Sequence, residues 1–370
     1  MIVAGEASGD LHGAELAREI LARDRDCEIF GIAGERMRGA GVRALYRTEE
    51  ITGMGLTELA STIRHTLGAQ FKLRAILKRE KPDLLILIDF PDFNLPLAKT
   101  ARQAGVRVLY YIAPQVWAWR RGRIRKIIDR TDRLAVVFPF EAEVFAQAGE
   151  RMAFVGHPLL DLTVPGDRAE TLARHGFSSQ ARLLAILPGS RPAEIRHLLE
   201  PMVEAARVLA RDHGLIPCLA LAHTLTPADL QRESGVALDG IRIIDNDTYS
   251  IVAASEVALV ASGTATLETA LLGCPMVIAY KVSSLTWLTA RLLVRGVSLV
   301  GMPNILAGRE IVPELLQGQV TSANLVRAAE PLLREPQRSS TIAALHALRS
   351  RLGTPGAAAR VAEMALDMMT

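Results

Sequence analysis

The chain has 370 residues, 49% apolar and 22% charged, with 43 basic against 40 acidic side chains and a formal net charge of +3. That length suits about two domains of ordinary size, and the near balance of charge argues against a nucleic-acid binder, which carries a larger basic excess. Cys27, Cys218 and Cys274 lie far apart without CxxC spacing, an odd, scattered set that implies reduced thiols and an intracellular address.

The mean hydropathy of +0.21 is high for an enzyme that never meets apolar material. Yet no apolar run approaches the roughly 20 residues of a membrane span. The most tempting stretch, 285–306, is interrupted by Arg291, Arg295 and Pro303. No basic leader with a cleavage site is visible, so membrane contact is expected only at the surface.

Along the chain, short apolar runs lead into Gly/Pro/Ser turns and then into helical periodicity, the pattern of a parallel sheet covered on both faces. Repeated β-α units predict doubly wound α/β domains, with ligands beyond the carboxyl ends of the strands. The first run, Met1 to Ala4, is short for a core strand, so a residue or two more is expected upstream. After it, Gly5-Glu6-Ala7-Ser8-Gly9-Asp10 opens a helix, with Ser8 as the expected cap and Gly9 permitting a close approach. Glu6 and Asp10 bring carboxylates to the rim; the alternative for both is a capped helix start. The glycines Gly5, Gly9 and Gly13 are spaced by four, so GxGxxG is absent and NAD is disfavoured; GxxxxGK[ST] is absent too.

Residues 54–77 place Leu56, Leu59, Ile63, Leu67 and Phe71 at helical spacing. Such a stripe is either core or, with Arg64, His65, Lys72 and Arg74 beside it, a face for a bilayer surface. The run ending Ile88-Asp89-Phe90-Pro91-Asp92-Phe93-Asn94 sets two carboxylates at the mouth of the sheet. Carboxylates there are costly unless hydrogen-bonded or working. Asp92, outside the strand, is the candidate general base, and Asp89 the buttress of its loop. Val116-Trp117-Ala118-Trp119 precedes a run rich in Arg and Lys through Lys126. It reads as a basic rim for anionic lipid or sugar phosphate, or as a solvated basic helix with core tryptophans.

Gly156-His157-Pro158 and the polar stretch to Asp167 mark a boundary, giving domains 1–160 and 161–339. In the second domain, Pro188-Gly189-Ser190-Arg191 follows an apolar run and opens a helix. Gly189 allows backbone approach, the Ser190 region offers N–H groups to an anion, and Arg191 adds a fork for phosphate oxygens. The alternative is an ordinary turn with a solvated arginine. Ser262-Gly263-Thr264 forms a matching turn before a helix, and Glu268 lies four residues beyond Thr264. A carboxylate there can accept both ribose hydroxyls, or simply complement the helix dipole. Two anion-binding helix starts fit a nucleotide diphosphate. Asp245-Asn246-Asp247 has the form of a metal-binding DxD but sits in a turn, where a structural role is favoured. The tail, 340–370, reads as two Ala/Leu-rich helices broken at Gly353-Thr354-Pro355.

Six segments in order then resemble the lipid-A-disaccharide synthase family. They are Ala4 to Asp10, Pro91-Asp92-Phe93-Asn94, Val116 to Trp119, Leu187 to Arg191, Ser262 to Glu268, and Pro303-Asn304-Ile305-Leu306-Ala307-Gly308-Arg309-Glu310. The resemblance implies a GT-B fold, two Rossmann-like domains facing a central cleft, with UDP held mainly by the second. It implies inverting transfer of 2,3-diacylglucosamine from UDP-2,3-diacylglucosamine to 2,3-diacylglucosamine 1-phosphate, without metal or other cofactor and without nucleic acid as partner. By the same resemblance Arg191, Glu268, Asn304 and Gln317 contact UDP, and Asp92 is the base. It further implies a homodimer with exchanged C-terminal segments, so that 340–370 packs on the first domain or on a partner subunit. The expected location is cytoplasmic, peripheral on the inner-membrane surface. Ala113 departs from the serine expected of many relatives. Competing readings are a UDP-sugar 2-epimerase, which needs no lipid acceptor, and a nucleotide-sugar-binding regulator without catalysis.

Overall fold

The computed structural model describes residues 1–51, 59–113, 122–222, 225–282 and 299–370, with 59–64 described as backbone only. The segment holding Trp117 and Trp119, the start of the 54–77 stretch and most of the 285–306 stretch lie outside the described residues. The chain divides into two compact units, Met1–Asp161 joined by Leu352–Thr370, and Leu162–Arg351.

In the first unit, β1 (Ile2–Ala4), β2 (Phe30–Ala33), β3 (Arg43–Arg47), β4 (Leu84–Ile88), β5 (Arg107–Tyr111), β6 (Arg133–Val136) and β7 (Met152–Phe154) form one sheet. Its order is β3-β2-β1-β4-β5-β6-β7, and the neighbours run parallel. Strand β4 is buried at every position, as expected of a strand covered on both faces, where alternation has no solvent side to serve. The order turns between β1 and β4, so the loops after these two strands open the crevice of a doubly wound sheet.

The second unit repeats the plan with β8 (Leu183–Leu187), β9 (Ile216–Ala220), β10 (Arg242–Ile244), β11 (Ser255–Ala261), β12 (Met276–Tyr280) and β13 (Glu314–Leu316). The order is β10-β9-β8-β11-β12-β13, with the turn between β8 and β11. The long helix Pro192–His213 buries Ile195, Leu198, Leu199, Met202, Val203 and Leu209 over this sheet.

The two tail helices part company. Gln337–Arg351 packs on Thr264–Leu271 and Met302–Ala307 in the second unit, whereas Ala357–Met369 packs along Ala7–Arg23 in the first. The split falls between Arg351 and Leu352, just before the Gly353-Thr354-Pro355 break. Asp161 fixes the last helix by accepting from Gly356 N at 2.8 Å and Ala357 N at 3.3 Å. Arg360 donates to the carbonyls of Val155 at 2.9 Å, Thr354 at 2.6 Å and Pro355 at 2.9 Å.

Buried ionisable groups underlie the first unit. Burial takes the His12 imidazole down to about 4. Burial, with repulsion from His12, takes His157 down to about 3. Burial lifts Glu141 to about 7, although its carboxylate accepts from Val137 N at 3.1 Å and Phe138 N at 3.0 Å. Each folded-state histidine stays neutral where the unfolded chain titrates near 6.5. Their stabilising effect is therefore complete above that pH and is lost as pH falls toward 4, at about 1.4 kcal/mol per pH unit for each group. Glu141 has the opposite sign: the folded state holds its proton below 7, adding stability as pH falls to about 4.5. Two histidines against one carboxyl leave a net loss on acidification. His157→Gln is expected to flatten, and Glu141→Gln to steepen, the fall in urea midpoint between pH 6.5 and 5.

Candidate active site

In the second unit, β8 and β11 pair directly, Leu187 opposite Val260, so the loops after them share one end of the sheet. After β8, Gly189 adopts φ +108, a conformation natural to glycine, and an added Cβ would lie 2.1 Å from Glu194 Oε2. The glycine is thus required by Glu194, whose carboxylate accepts from Ser190 N at 2.9 Å and Arg191 N at 3.2 Å. The anion at this helix start is the chain's own side chain, which corrects the expectation that these amides await a ligand. Glu194 stands three residues after the N-cap residue Arg191, the reach of a capping carboxylate, and that spacing is readable in the sequence. Arg191 itself is exposed, with its guanidinium 4.0 Å from Glu194 Oε1. Burial raises the phenol of Tyr280, the last residue of β12, with Glu194 adding to the rise and Arg191 opposing it.

The start after β11 differs. Gly263 and Thr264 are exposed ahead of helix Thr264–Leu271, and a Cβ on Gly263 would meet nothing within 4 Å. Among the described residues, no group accepts from the Gly263, Thr264 or Ala265 amides. Amides at a helix tip, where the potential is positive, suit an anion. Glu268, half-buried on the same helix, accepts from Tyr249 Oη at 2.8 Å.

Asn304 is fully buried, and its amide is spent on the protein: it donates to Val312 O at 2.8 Å and Glu314 Oε1 at 2.7 Å. Its oxygen accepts from Ile311 N at 2.7 Å and Val312 N at 3.1 Å. Both ends of the Asn304 amide are thus engaged by protein groups. Glu314 in turn accepts from Val300 N at 2.8 Å and Gly301 N at 2.9 Å, closing another helix start. Gln317, at φ +51, turns its amide onto the backbone of Val282, donating at 3.0 Å and accepting at 3.2 Å.

The Asp245-Asn246-Asp247 turn holds its place through Asp247, which accepts from Arg174 Nη1 at 3.0 Å and lies 2.7 Å from His175 Nε2. Burial pushes this carboxyl up, but hydrogen bonds from Ser250, His175 and Arg174 outweigh that and keep it below the ordinary range. The Arg174 and His175 contacts fit a structural turn. Among the described residues, no three His, Cys, Asp or Glu side chains gather as a metal site.

In the first unit, the loop after β4 is strained. Asp89 and Phe90 take φ +45 and +48 in succession, a conformation that side-chain-bearing residues adopt only when held. The hold is visible. Asn94, fully buried, donates to Ile88 O at 3.2 Å and Asp89 O at 2.7 Å, and Tyr110 Oη donates to Asp89 O at 2.6 Å. Phe90 stacks on Phe93 at 5.2 Å and leans on Gly5, where an added Cβ would lie 2.2 Å from the Phe90 ring. Gly5 thus makes room for an aromatic ring across the β1/β4 turn. Asp92 follows on the first turn of helix Pro91–Gln103, exposed, with its carboxylate held by the Arg123 guanidinium from helix Gly122–Arg130. Sequence reasoning missed Asn94, Tyr110 and Arg123, because each acts through a fold-dependent contact.

The loop after β1 is placed otherwise than expected. The helix begins at Ala7 with Glu6 in the N-cap position, so Ser8 lies inside the first turn. Gly9 permits no special approach, since a Cβ there would meet Ala4 at 3.4 Å and Ile88 at 3.7 Å, ordinary contacts. Glu6 is half-buried beside this loop. Asp10 is buried rather than on the rim, accepting from Gly34 N at 2.7 Å, Arg36 N at 2.9 Å and Met37 N at 3.1 Å. It ties the β1 loop to the β2 loop.

A family model described as Lipid-A-disaccharide synthetase matches residues 1–366. The lipid-A-disaccharide synthase of Syntrophus aciditrophicus (strain SB) is 44% identical over 373 residues, covering 100% of this chain and 97% of that protein. That of Geobacter metallireducens is 42% identical over 374 residues, again covering 100% and 97%. Among solved structures, the UDP-GlcNAc 2-epimerase from Neisseria meningitidis bound to UDP-GlcNAc matches with a TM-score of 0.67 at 13% identity, covering 99% of each chain. CalG4, the calicheamicin glycosyltransferase, matches with a TM-score of 0.61 at 15% identity, covering 100% of this chain and 97% of that one. Identities so low speak for the fold alone, the GT-B class of two doubly wound α/β units. The family match and the two relatives spanning the whole chain decide what the fold leaves open: the chain belongs to the lipid-A-disaccharide synthase family, glycosyltransferases of lipid A biosynthesis.

Proposed function

We propose that the chain transfers 2,3-diacylglucosamine from UDP to 2,3-diacylglucosamine 1-phosphate, inverting the anomeric centre and releasing UDP. The observation that carries this reading is the open helix tip at Gly263–Ala265 with Glu268 on the same helix. A diphosphate fits the amides and a ribose diol fits the carboxylate. In this reading the second unit grips the donor and the first presents the acceptor. Asn304 and Gln317 shape the wall of the nucleotide site through the contacts already described.

Chemically, Asp92 takes the proton of the acceptor 6-hydroxyl as that oxygen attacks the anomeric carbon. The bond from that carbon to the β-phosphate oxygen breaks, and UDP departs with the electron pair. Arg191 and the helix tip stabilise the charge growing on the diphosphate, a preorganised field that needs no reorganisation at the moment of reaction. Arg123 fixes the direction of the Asp92 carboxylate. Asp89 supplies the backbone of the elbow that carries Asp92, while Asp10 holds the adjoining loop.

The acylated substrates also call for a lipid surface. Helix Leu59–Arg79 exposes Leu67 by 64% and Phe71 by 80% next to Lys72, Lys78 and Arg79. Apolar side chains among cations suit the interface of an anionic bilayer, and among the described residues no helix is long and apolar enough to cross one. Peripheral attachment to the cytoplasmic face of the inner membrane is the placement proposed. The tail helix Ala357–Met369 is the segment proposed to be exchanged in a homodimer, since its docking groups Asp161 and Arg360 would serve equally from a second copy.

Incubation of the purified protein with UDP-2,3-diacylglucosamine and 2,3-diacylglucosamine 1-phosphate is expected to yield the disaccharide 1-phosphate and UDP. Epimerised UDP-sugar formed without acceptor would sink the reading. Asp92→Asn is expected to lower turnover by about 10²–10⁴ while donor affinity stays the same; wild-type rates would remove Asp92 as base. Arg191→Ala is expected to weaken UDP binding about 10- to 100-fold by calorimetry, as lost charged hydrogen bonds of about 1.5–3 kcal/mol imply, with the melting temperature retained.

A further inference from the structure

Glu268 does not stand alone on its helix. Tyr249 Oη donates to its Oε1 at 2.8 Å, across nineteen residues of sequence. Tyr249 is carried by helix Thr248–Ala254, which packs directly against Thr264–Leu271. The start of that helix is itself pinned, because Asp247 immediately before it is held by Arg174 at 3.0 Å and His175 at 2.7 Å. Those two residues close helix Arg168–Arg174, which packs on Thr248–Ala254 from the other side. A line of contacts thus runs from the Asp247 turn through a helix of about two turns to the Glu268 carboxylate.

A glutamate side chain has three rotatable bonds, and fixing them costs conformational entropy. A donor held on a neighbouring helix settles that cost before a ligand arrives. A carboxylate accepts up to about four hydrogen bonds, so the bond from a phenol can orient the group without by itself exhausting it. Vicinal hydroxyls are the ligand that profits most, because two parallel bonds demand one carboxylate orientation, whereas a single hydroxyl tolerates many.

We infer that Tyr249 is a positioning residue for the donor site: by holding Glu268 at a fixed angle, it sets the preference for a ribonucleotide over a 2′-deoxyribonucleotide. The inference rests on the reading of Glu268 as the ribose ligand. It gives the Asp245-Asn246-Asp247 turn a part in recognition, as the anchor of the helix that carries Tyr249.

The test is calorimetric binding of UDP and 2′-deoxy-UDP to the wild type, Tyr249→Phe and Glu268→Gln, with thermal melting as a control on the fold. Tyr249→Phe keeps the ring and its packing, so the melting temperature is expected to hold. UDP affinity should fall about fivefold, the worth of one hydrogen bond, with 2′-deoxy-UDP affected less, so that the preference for UDP shrinks. Equal weakening of both ligands, or no weakening of either, would overturn the inference, since a merely structural tyrosine does not sense the 2′-hydroxyl. The Glu268→Gln arm separates two kinds of failure. If it leaves both affinities unchanged, Glu268 is not the ribose ligand and the underlying reading falls with the inference. If it erases the preference while Tyr249→Phe retains it, Glu268 keeps its role and only the inference about Tyr249 is lost.

Discussion

Backbone amides at the carboxyl ends of the strands are the constraint around which both units are arranged. A helix start leaves N–H groups without intrahelical partners, and a buried one left unpaired is expensive. At several starts this chain meets that demand with its own carboxylates. Asp10 serves Gly34, Arg36 and Met37; Glu194 serves Ser190 and Arg191; Glu314 serves Val300 and Gly301; Asp161 serves Gly356 and Ala357. Among the described residues the start at Gly263–Ala265 has no such partner, and Gly263 and Thr264 are exposed.

The same contrast divides the glycines. Gly189 is needed because Glu194 folds back against it, and Gly5 because Phe90 lies over it. Neither makes room for a ligand; both let a loop close on itself. Gly263 sits in open space, where an added Cβ would meet no other atom. Glycine in a loop after a strand therefore carries two meanings, and only the neighbouring atoms tell them apart.

Strain and its restraint mark the other half of the chemistry. Two consecutive residues at positive φ, Asp89 and Phe90, turn the chain sharply so that Asp92 emerges on the first helical turn. Asn94 and Tyr110 hold the carbonyl of Asp89 in that turn. Such a conformation persists only where the surroundings hold it, and here Asn94 and Tyr110 supply the hold.

How much of this was legible beforehand follows from the range of each interaction. The runs 84–88 and 183–187 declare buried parallel strands because full burial leaves no alternation, and their turns declare helix starts. The doubly wound class and the family resemblance follow from such local patterns in order. Glu194 was legible too, since a capping carboxylate acts over three or four residues. The roles of Asp10, Asn304, Tyr110 and Tyr249 were not, because their partners lie 24, 8, 21 and 19 residues away. Sequence by itself determined which elements form and which loops end at the mouths of the sheets, because propensity, periodicity and capping are short-range. Only the tertiary structure decided which polar groups are consumed by the fold and which stay available to a ligand, because hydrogen-bond satisfaction depends on what folding brings alongside.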